Sequence, residues 1–365
     1  VMVGMGVNGG GGSLEFDNGL ASFERQFSVL PGAISQLGQQ LGQMNPAMAV
    51  SANRYSMDMY LKGSSMTLAF NAGVAFRITD WLSIAAQLRY STTSNGYEGY
   101  MKNIQINPSM AAMGLDGTKM ISASQFFTQA GAALGQLNPA LAQQAAVYAA
   151  QTADHILDVK QKGTSLSPVL ALAFHKGKWD ASVKYEFKMA TELEIESEPI
   201  SANDPVINGI FPNGAKVKSE TPALLAAALS RHFGPVKVTA EWHHYFDKDA
   251  QNSFSPCITG NTNEYLLGAE WSITDKWLVS AGVQRTALNM DINKYSDMNF
   301  VTSSTSIAAG VKYNFSEKVG LNLGIMPTLY DKETAVGQAS GIDFKDVYHR
   351  TSMAWGIGLD LKFGK

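Results

Sequence analysis

The chain has 365 residues, a net charge of −3 and only 16% charged residues, against roughly 25% in soluble proteins. That balance excludes a basic surface for nucleic acid, and 45% apolar with 10% aromatic residues excludes disorder. Cys257 is the only cysteine, which excludes intramolecular disulfides and cysteine-rich metal sites.

The longest apolar run, 223–229, falls far short of the ~18–20 residues of a membrane-spanning helix. The apolar residues alternate instead. Leu82, Ile84, Ala86, Leu88 and Tyr90 alternate with Ser83, Ala85, Gln87 and Arg89. Trp179 to Met189 and Met353 to Phe363 behave alike. Period two places each set on one face of a strand, whereas a helix would scatter them. In chain order the pattern predicts about twelve strands: 1–7, 53–78, 81–104, 156–176, 179–199, 217–233, 236–248, 264–274, 277–293, 303–315, 319–331 and 348–364. The connections are of two kinds. Phe76-Arg-Ile-Thr-Asp-Trp81, Trp271-Ser-Ile-Thr-Asp-Lys-Trp277 and Tyr313-Asn-Phe-Ser-Glu-Lys-Val319 are tight polar turns bounded by aromatics. The others are long: 8–52, 105–155, 200–216, 249–263, 294–302 and 332–347. Short aromatic-flanked turns at one end, long loops at the other and an even strand count are the plan of an all-β transmembrane antiparallel barrel. Strand length and turn asymmetry weigh against a soluble sandwich. The whole chain, 1–365, reads as one barrel domain.

The two longest loops, 8–52 and 105–155, read as partly helical and extracellular. Ile34, Leu37, Leu41, Met44 and Met48 recur at spacings of three or four, as do Ala130, Leu134, Leu137 and Leu141. Each set gives one apolar helical stripe. Both loops carry nearly the same octapeptide, Gly42-Gln-Met-Asn-Pro-Ala-Met-Ala49 and Gly135-Gln-Leu-Asn-Pro-Ala-Leu-Ala142. Asn before Pro is driven out of helical geometry, which predicts a helix, a kink and a second helix. Two readings stay open. The stripes pack on each other as caps, or they wall a greasy groove that binds a hydrophobic ligand through Leu37, Leu41, Met44, Met48, Leu134, Leu137 and Leu141, with Phe126 and Phe127 at one end.

Other signals point to no chemistry. His243 and His244 are neighbours in a strand and face opposite ways, so they cannot share an ion. Gly9 to Gly12 lacks the Lys-Ser/Thr of a phosphate loop and reads as a bend or barrel break. Glu186, Glu192, Glu194 and Glu196 read as one solvated face. Asp247 and Asp249 read as polar loop residues. No nucleophile–base arrangement is present, so the chain is expected to be no enzyme, with no catalytic residue, metal or cofactor.

Several segments resemble the FadL/TodX family of outer-membrane transporters of long-chain fatty acids and aromatic hydrocarbons. Val3 to Phe16 resembles the family's "G-x-G-V … G-L-x-x-x-F" strand and loop. Phe70 to Ile84 is similar to its "N-P-S-V-A-Y-K … N-D-K-L-S" hairpin. Leu267-Gly-Ala-Glu-Trp271 with Trp277 to Val283 resembles its "L-G-x-E-Y … D-K-W" unit, and Ser352 to Phe363 its closing strand. The resemblance implies a fourteen-stranded barrel in a bacterial outer membrane. It also implies an N-terminal plug and early strands that have no counterpart in this sequence. The implied activity is passive uptake of hydrophobic small molecules. The implied surroundings are a lipid bilayer and lipopolysaccharide. A second implied role is that of a FadL-like barrel holding a protein partner at its extracellular loops, as in a type 9 secretion shuttle.

Overall fold

The computed structural model describes residues 1–135, 138–339 and 342–363. Twelve long strands form the wall, each antiparallel to the next. They are β1 (Met2–Phe16), β2 (Tyr55–Arg77), β3 (Leu82–Ile106), β4 (His155–Lys176), β5 (Trp179–Glu186) and β6 (Leu224–Phe233). They continue as β7 (Val236–Tyr245), β8 (Thr262–Ser272), β9 (Trp277–Ala287), β10 (Ser304–Asn314), β11 (Val319–Tyr330) and β12 (Thr351–Leu361). The ladder follows chain order from β1 to β12, as expected when every connection joins neighbours. Each of the twelve strands expected from alternation has a counterpart in the wall, three of them with other bounds.

Period two sorts the faces. Leu88, Leu170, Trp271, Ile325 and Trp355 lie exposed on the outer face. Arg89, Glu186 and Glu264 lie inward, bonded to other polar side chains. This arrangement suits a solvent of hydrocarbon, where every backbone polar group must be paired within the wall. Aromatics gather at the short turns: Trp81 stacks on Phe174 at 6.1 Å and Trp277 lies 4.6 Å from Tyr313. Their rings suit the boundary between apolar and wet surroundings. Among the described residues β1 and β12 are not paired to each other. Loops near the two ends of the ladder nevertheless meet: Ser22 is bonded to Asp297, and Arg25 to Asp346 at 2.5 Å.

Four expectations need correction. The first strand does not stop at Val7. It runs through the glycines to Phe16, with irregularities at Val7/Gly9 and Gly10/Gly12. Extra residues in one strand bend it without ending it. The strand expected over 179–199 is two pieces, β5 and a separate strand Glu192–Ser197 that pairs with β4 further along. Likewise 217–233 divides into Lys216–Lys218 and β6. The break also separates the glutamates. Glu186 is inward on Arg89, whereas Glu192, Glu194 and Glu196 are exposed, with Leu193 and Ile195 buried between them. A slip of one residue exchanges the two faces of a strand.

Candidate functional site in the long loops

The first long loop holds α1 (Ala21–Ser28) and α2 (Leu30–Met44), and the second holds α3 (Ala123–Leu134) and α4 (Pro139–Gln151). Both Asn-Pro pairs act as expected. Asn45 is extended, ends α2, and accepts from the Ala47 N–H at 3.0 Å. Asn138 donates its N–H to Leu134 O at 2.8 Å and accepts from Leu141 N–H at 3.2 Å, starting α4. These are side-chain caps on otherwise unbonded donors. In the first loop the second helix is a single 3-10 turn, Pro46–Met48.

The apolar stripes meet. Leu37, Leu41 and Leu134 are buried together, with Met48, Leu141 and Ala142 packed around them. Met48 also touches an adjoining cluster of Leu30, Ile34, Val50, Ile106, Phe126 and Phe127. Phe126 and Phe127 sit edge to face at 5.5 Å, and Phe127 lies 5.2 Å from Tyr148. Seven of the nine expected residues therefore lie in one continuous apolar body made by both loops. Met44 closes α2, and Leu137 lies outside the described residues. Leu37, Leu41, Leu134, Phe126 and Phe127 are covered by protein; Met48 and Leu141 are half-buried at its edge.

Several members of this body were invisible to periodicity. Val50, Ile104, Ile106 and Met110 lie at the end of β3 or in two-residue strands, Val50–Ser51 paired with Ser109–Met110. No helical or strand period can be counted over so few residues. Gly38 allows Val50 to lie against α2, since an added Cβ would strike the Val50 carbonyl. Asn107, buried, accepts from the Asn53 and Arg54 N–H groups at 3.1 and 2.7 Å and donates to Gly117 O at 2.9 Å. A side chain that satisfies backbone groups of two loops fixes their separation.

Electrostatics around the loops are local. The Glu24 carboxylate accepts from the Tyr55 hydroxyl at 2.6 Å and ties α1 to the start of β2. Burial works against ionisation of Asp204. Its 2.6 Å contact with His155, together with the Ile207 and Val206 N–H groups, outweighs that and holds the carboxyl below its ordinary value. Among the described residues no group of three His, Cys, Asp or Glu side chains could hold a metal.

The lumen under the loops is polar. Glu186 is bonded to Arg89 at 2.5 Å and Lys184 at 2.6 Å. Glu264 accepts from Tyr245, Gln284 and Thr286 and lies 3.1 Å from His243. His244 turns the other way, to Asn263. A cavity of about 1460 Å³ runs from Asp80 and Asp180 at the short turns up to Ser306 near the loop end of β10, bordered by Ser182, Ser230, Thr239 and Ser280.

No family model matches the sequence, and no curated protein matches it. Solved structures do. A FadL homologue of Pseudomonas aeruginosa aligns with 85% of this chain and 75% of its own, at 11% identity and a TM-score of 0.50. The toluene transporter TodX of Pseudomonas putida aligns with 86% and 78%, at 14% identity and 0.49. The toluene transporter TbuX of Ralstonia pickettii aligns with 86% and 80%, at 12% identity and 0.45. On the first of these alignments, and on its own strand order and outward apolar face, the chain has the β-barrel fold of the FadL-type outer-membrane transporters.

Proposed function

We propose that this protein is an outer-membrane channel for passive uptake of hydrophobic small molecules, long-chain fatty acids or aromatic hydrocarbons being the chemical class. The observation that carries the reading is the apolar body built by the two long loops beyond the lipid-facing wall, with Met48 and Leu141 at its accessible edge. A poorly soluble molecule gains little from a water-filled pore. It gains about 25 cal/mol for each Å² of apolar surface taken out of water. Burying roughly 300 Å² would supply about 7 kcal/mol before the costs of association. The ligand meets Met48 and Leu141 first and reaches Leu37, Leu41 and Leu134 by parting the loops. Methionine suits such a port because its unbranched thioether re-packs readily.

The test is equilibrium binding of a long-chain fatty acid and of toluene to the purified protein in detergent. Both should bind to the native protein. Met48→Gln with Leu141→Gln should weaken binding while heat-modifiable gel mobility stays that of an intact barrel. Unchanged affinity in the double variant would reject the loop site.

A further inference from the structure

The outer face of the wall from β5 to β12 is almost free of charge. Period two, read from the exposed residues Trp179, Leu229, Phe233, Trp271 and Val283, fixes which positions point outward. On that outward register, among the described residues, two side chains carry a permanent charge, Arg285 and Arg231. Arg285 lies at the loop end and is neutralised by Asp331 at 2.5 Å. Arg231 lies at the opposite end, beside the short turns, where β6 closes at Phe233. It has no carboxylate partner among the described residues.

The surroundings of Arg231 fix its guanidinium in place. The group lies 4.8 Å from the ring centres of both Trp179 on β5 and Phe233 on β6. Such contacts hold a planar cation by its face and leave its N–H edge free. A second cation stands in the same row. Lys176 is opposite Trp179, and Trp179 is opposite Arg231. The two cations therefore flank one tryptophan across β4, β5 and β6. At about 4.8 Å per strand their Cα atoms are roughly 10 Å apart, within reach of one shared anion for two long side chains. The nearest acid is turned away. Asp180 has the inward parity, borders the lumenal cavity, and is bonded to His175 at 2.5 Å and His232 at 2.8 Å.

The same outer face continues toward the middle of the wall as exposed Leu172, Val183 and Leu229. A cation on a lipid-facing wall is costly at the bilayer midplane and nearly free of cost at the interface. Trp81, Phe174, Trp179 and Phe233 mark that interface at the short turns, and long cationic side chains reach into its polar layer. What they meet there is lipid phosphate.

We propose that Arg231 and Lys176 bind the phosphodiester of an anionic glycerophospholipid in the leaflet beside the short turns, its acyl chains lying on Leu172, Val183 and Leu229. The guanidinium offers paired donors to the phosphate oxygens, and the ammonium adds a second point charge. A headgroup of net negative charge is preferred to a zwitterionic one because the protein neutralises neither cation. The site lies on the outer face, so it stands or falls independently of the uptake reading.

The test is native mass spectrometry of the full chain in detergent, titrated with phosphatidylglycerol and phosphatidylcholine of the same acyl chains. The native protein should hold one phosphatidylglycerol severalfold more tightly than phosphatidylcholine. Arg231→Gln and Lys176→Gln should each reduce that preference, and the double variant should abolish it with heat-modifiable gel mobility unchanged. Lys176→Gln, which leaves the ring contacts of Arg231 in place, covers failure of the arginine variants to fold. Lys248→Gln with Lys332→Gln, at two exposed loop lysines, removes the same charge and should leave the preference intact. Glycerol 3-phosphate, which carries the phosphate without the chains, should not displace the lipid. No preference in the native protein, an equal preference in the folded Arg231 and Lys176 variants, or an equal loss in the loop-lysine control overturns the proposal. Displacement by glycerol 3-phosphate overturns the lipid assignment and leaves a site for a soluble phosphate.

Discussion

The wall and the loops use the same side chains in opposite senses. On the wall Leu88, Val183 and Trp355 are exposed and the polar residues Arg89, Glu186 and Ser91 are turned in. In the loops Leu41, Leu134 and Phe127 are covered and polar residues lie outside. The contrast teaches that apolar residues follow the solvent and not the protein centre. The exposed apolar face of the wall suits hydrocarbon, and the covered apolar body of the loops suits water. Loop burial therefore carries a hydrophobic free energy that the outward residues of the wall do not gain from each other.

The contrast can be broken by substitution. Phe127→Ala should have the largest effect. Opening a cavity at a fully buried aromatic costs about 3–5 kcal/mol, and here the loss should fall on the loops. Hydrogen exchange should rise across α2, α3 and α4 while the wall amides stay protected. Exchange spread evenly over wall and loops would mean that the two regions fold as one unit.

Val183→Arg should cost about 2–4 kcal/mol if the residue faces the bilayer midplane. Ser182→Arg, bordering the lumenal cavity, should cost far less. Denaturant unfolding in lipid vesicles measures both, and equal penalties would refute the register of β5. Gly38→Ala should come next, at about 1–3 kcal/mol for overpacking, because its Cβ would displace the Val50 carbonyl. Its signature is faster proteolysis of the first loop with the barrel intact.

The smallest effect concerns pH. The Asp204 carboxyl titrates below its ordinary value in the folded protein. Its contribution to stability is therefore present above the ordinary carboxylate range and is lost as pH falls through the lowered folded value. Amides of the segment 199–210 should lose protection below about pH 4, the ordinary carboxylate value. Asp204→Asn should remove that acid dependence, and persistence of the dependence in the variant would assign it to another group.

The wall was legible because one physical rule, alternation, acts over eight or more residues in strands such as β3, β5 and β12. The loop stripes were legible for the same reason at helical spacing, and Asn45 and Asn138 marked the kinks through their prolines. The break between β5 and Glu192–Ser197 was not. The glutamates at 192, 194 and 196 continue the alternation of Lys184 and Glu186 in even positions, so the exchange of faces leaves no mark in the sequence. Gly9 to Gly12 misled in the other direction. Glycine weakens a strand, but pairing with the long β2 carries β1 through the run. Val50 and Met110 escaped notice because their strands are two residues long.

The central claim is that hydrophobic molecules are captured by the body between the two long loops. The most direct measurement is photolabelling of the intact protein in lipid vesicles with a fatty acid carrying a photoreactive group at the end of its chain, followed by peptide mapping. The account predicts label on α2, the 45–50 segment and α4, competed away by unlabelled fatty acid and lost in Met48→Gln with Leu141→Gln. Label confined to outward residues of the wall, such as Leu88, Leu170 and Trp355, and unchanged by the competitor or the double substitution, would contradict it.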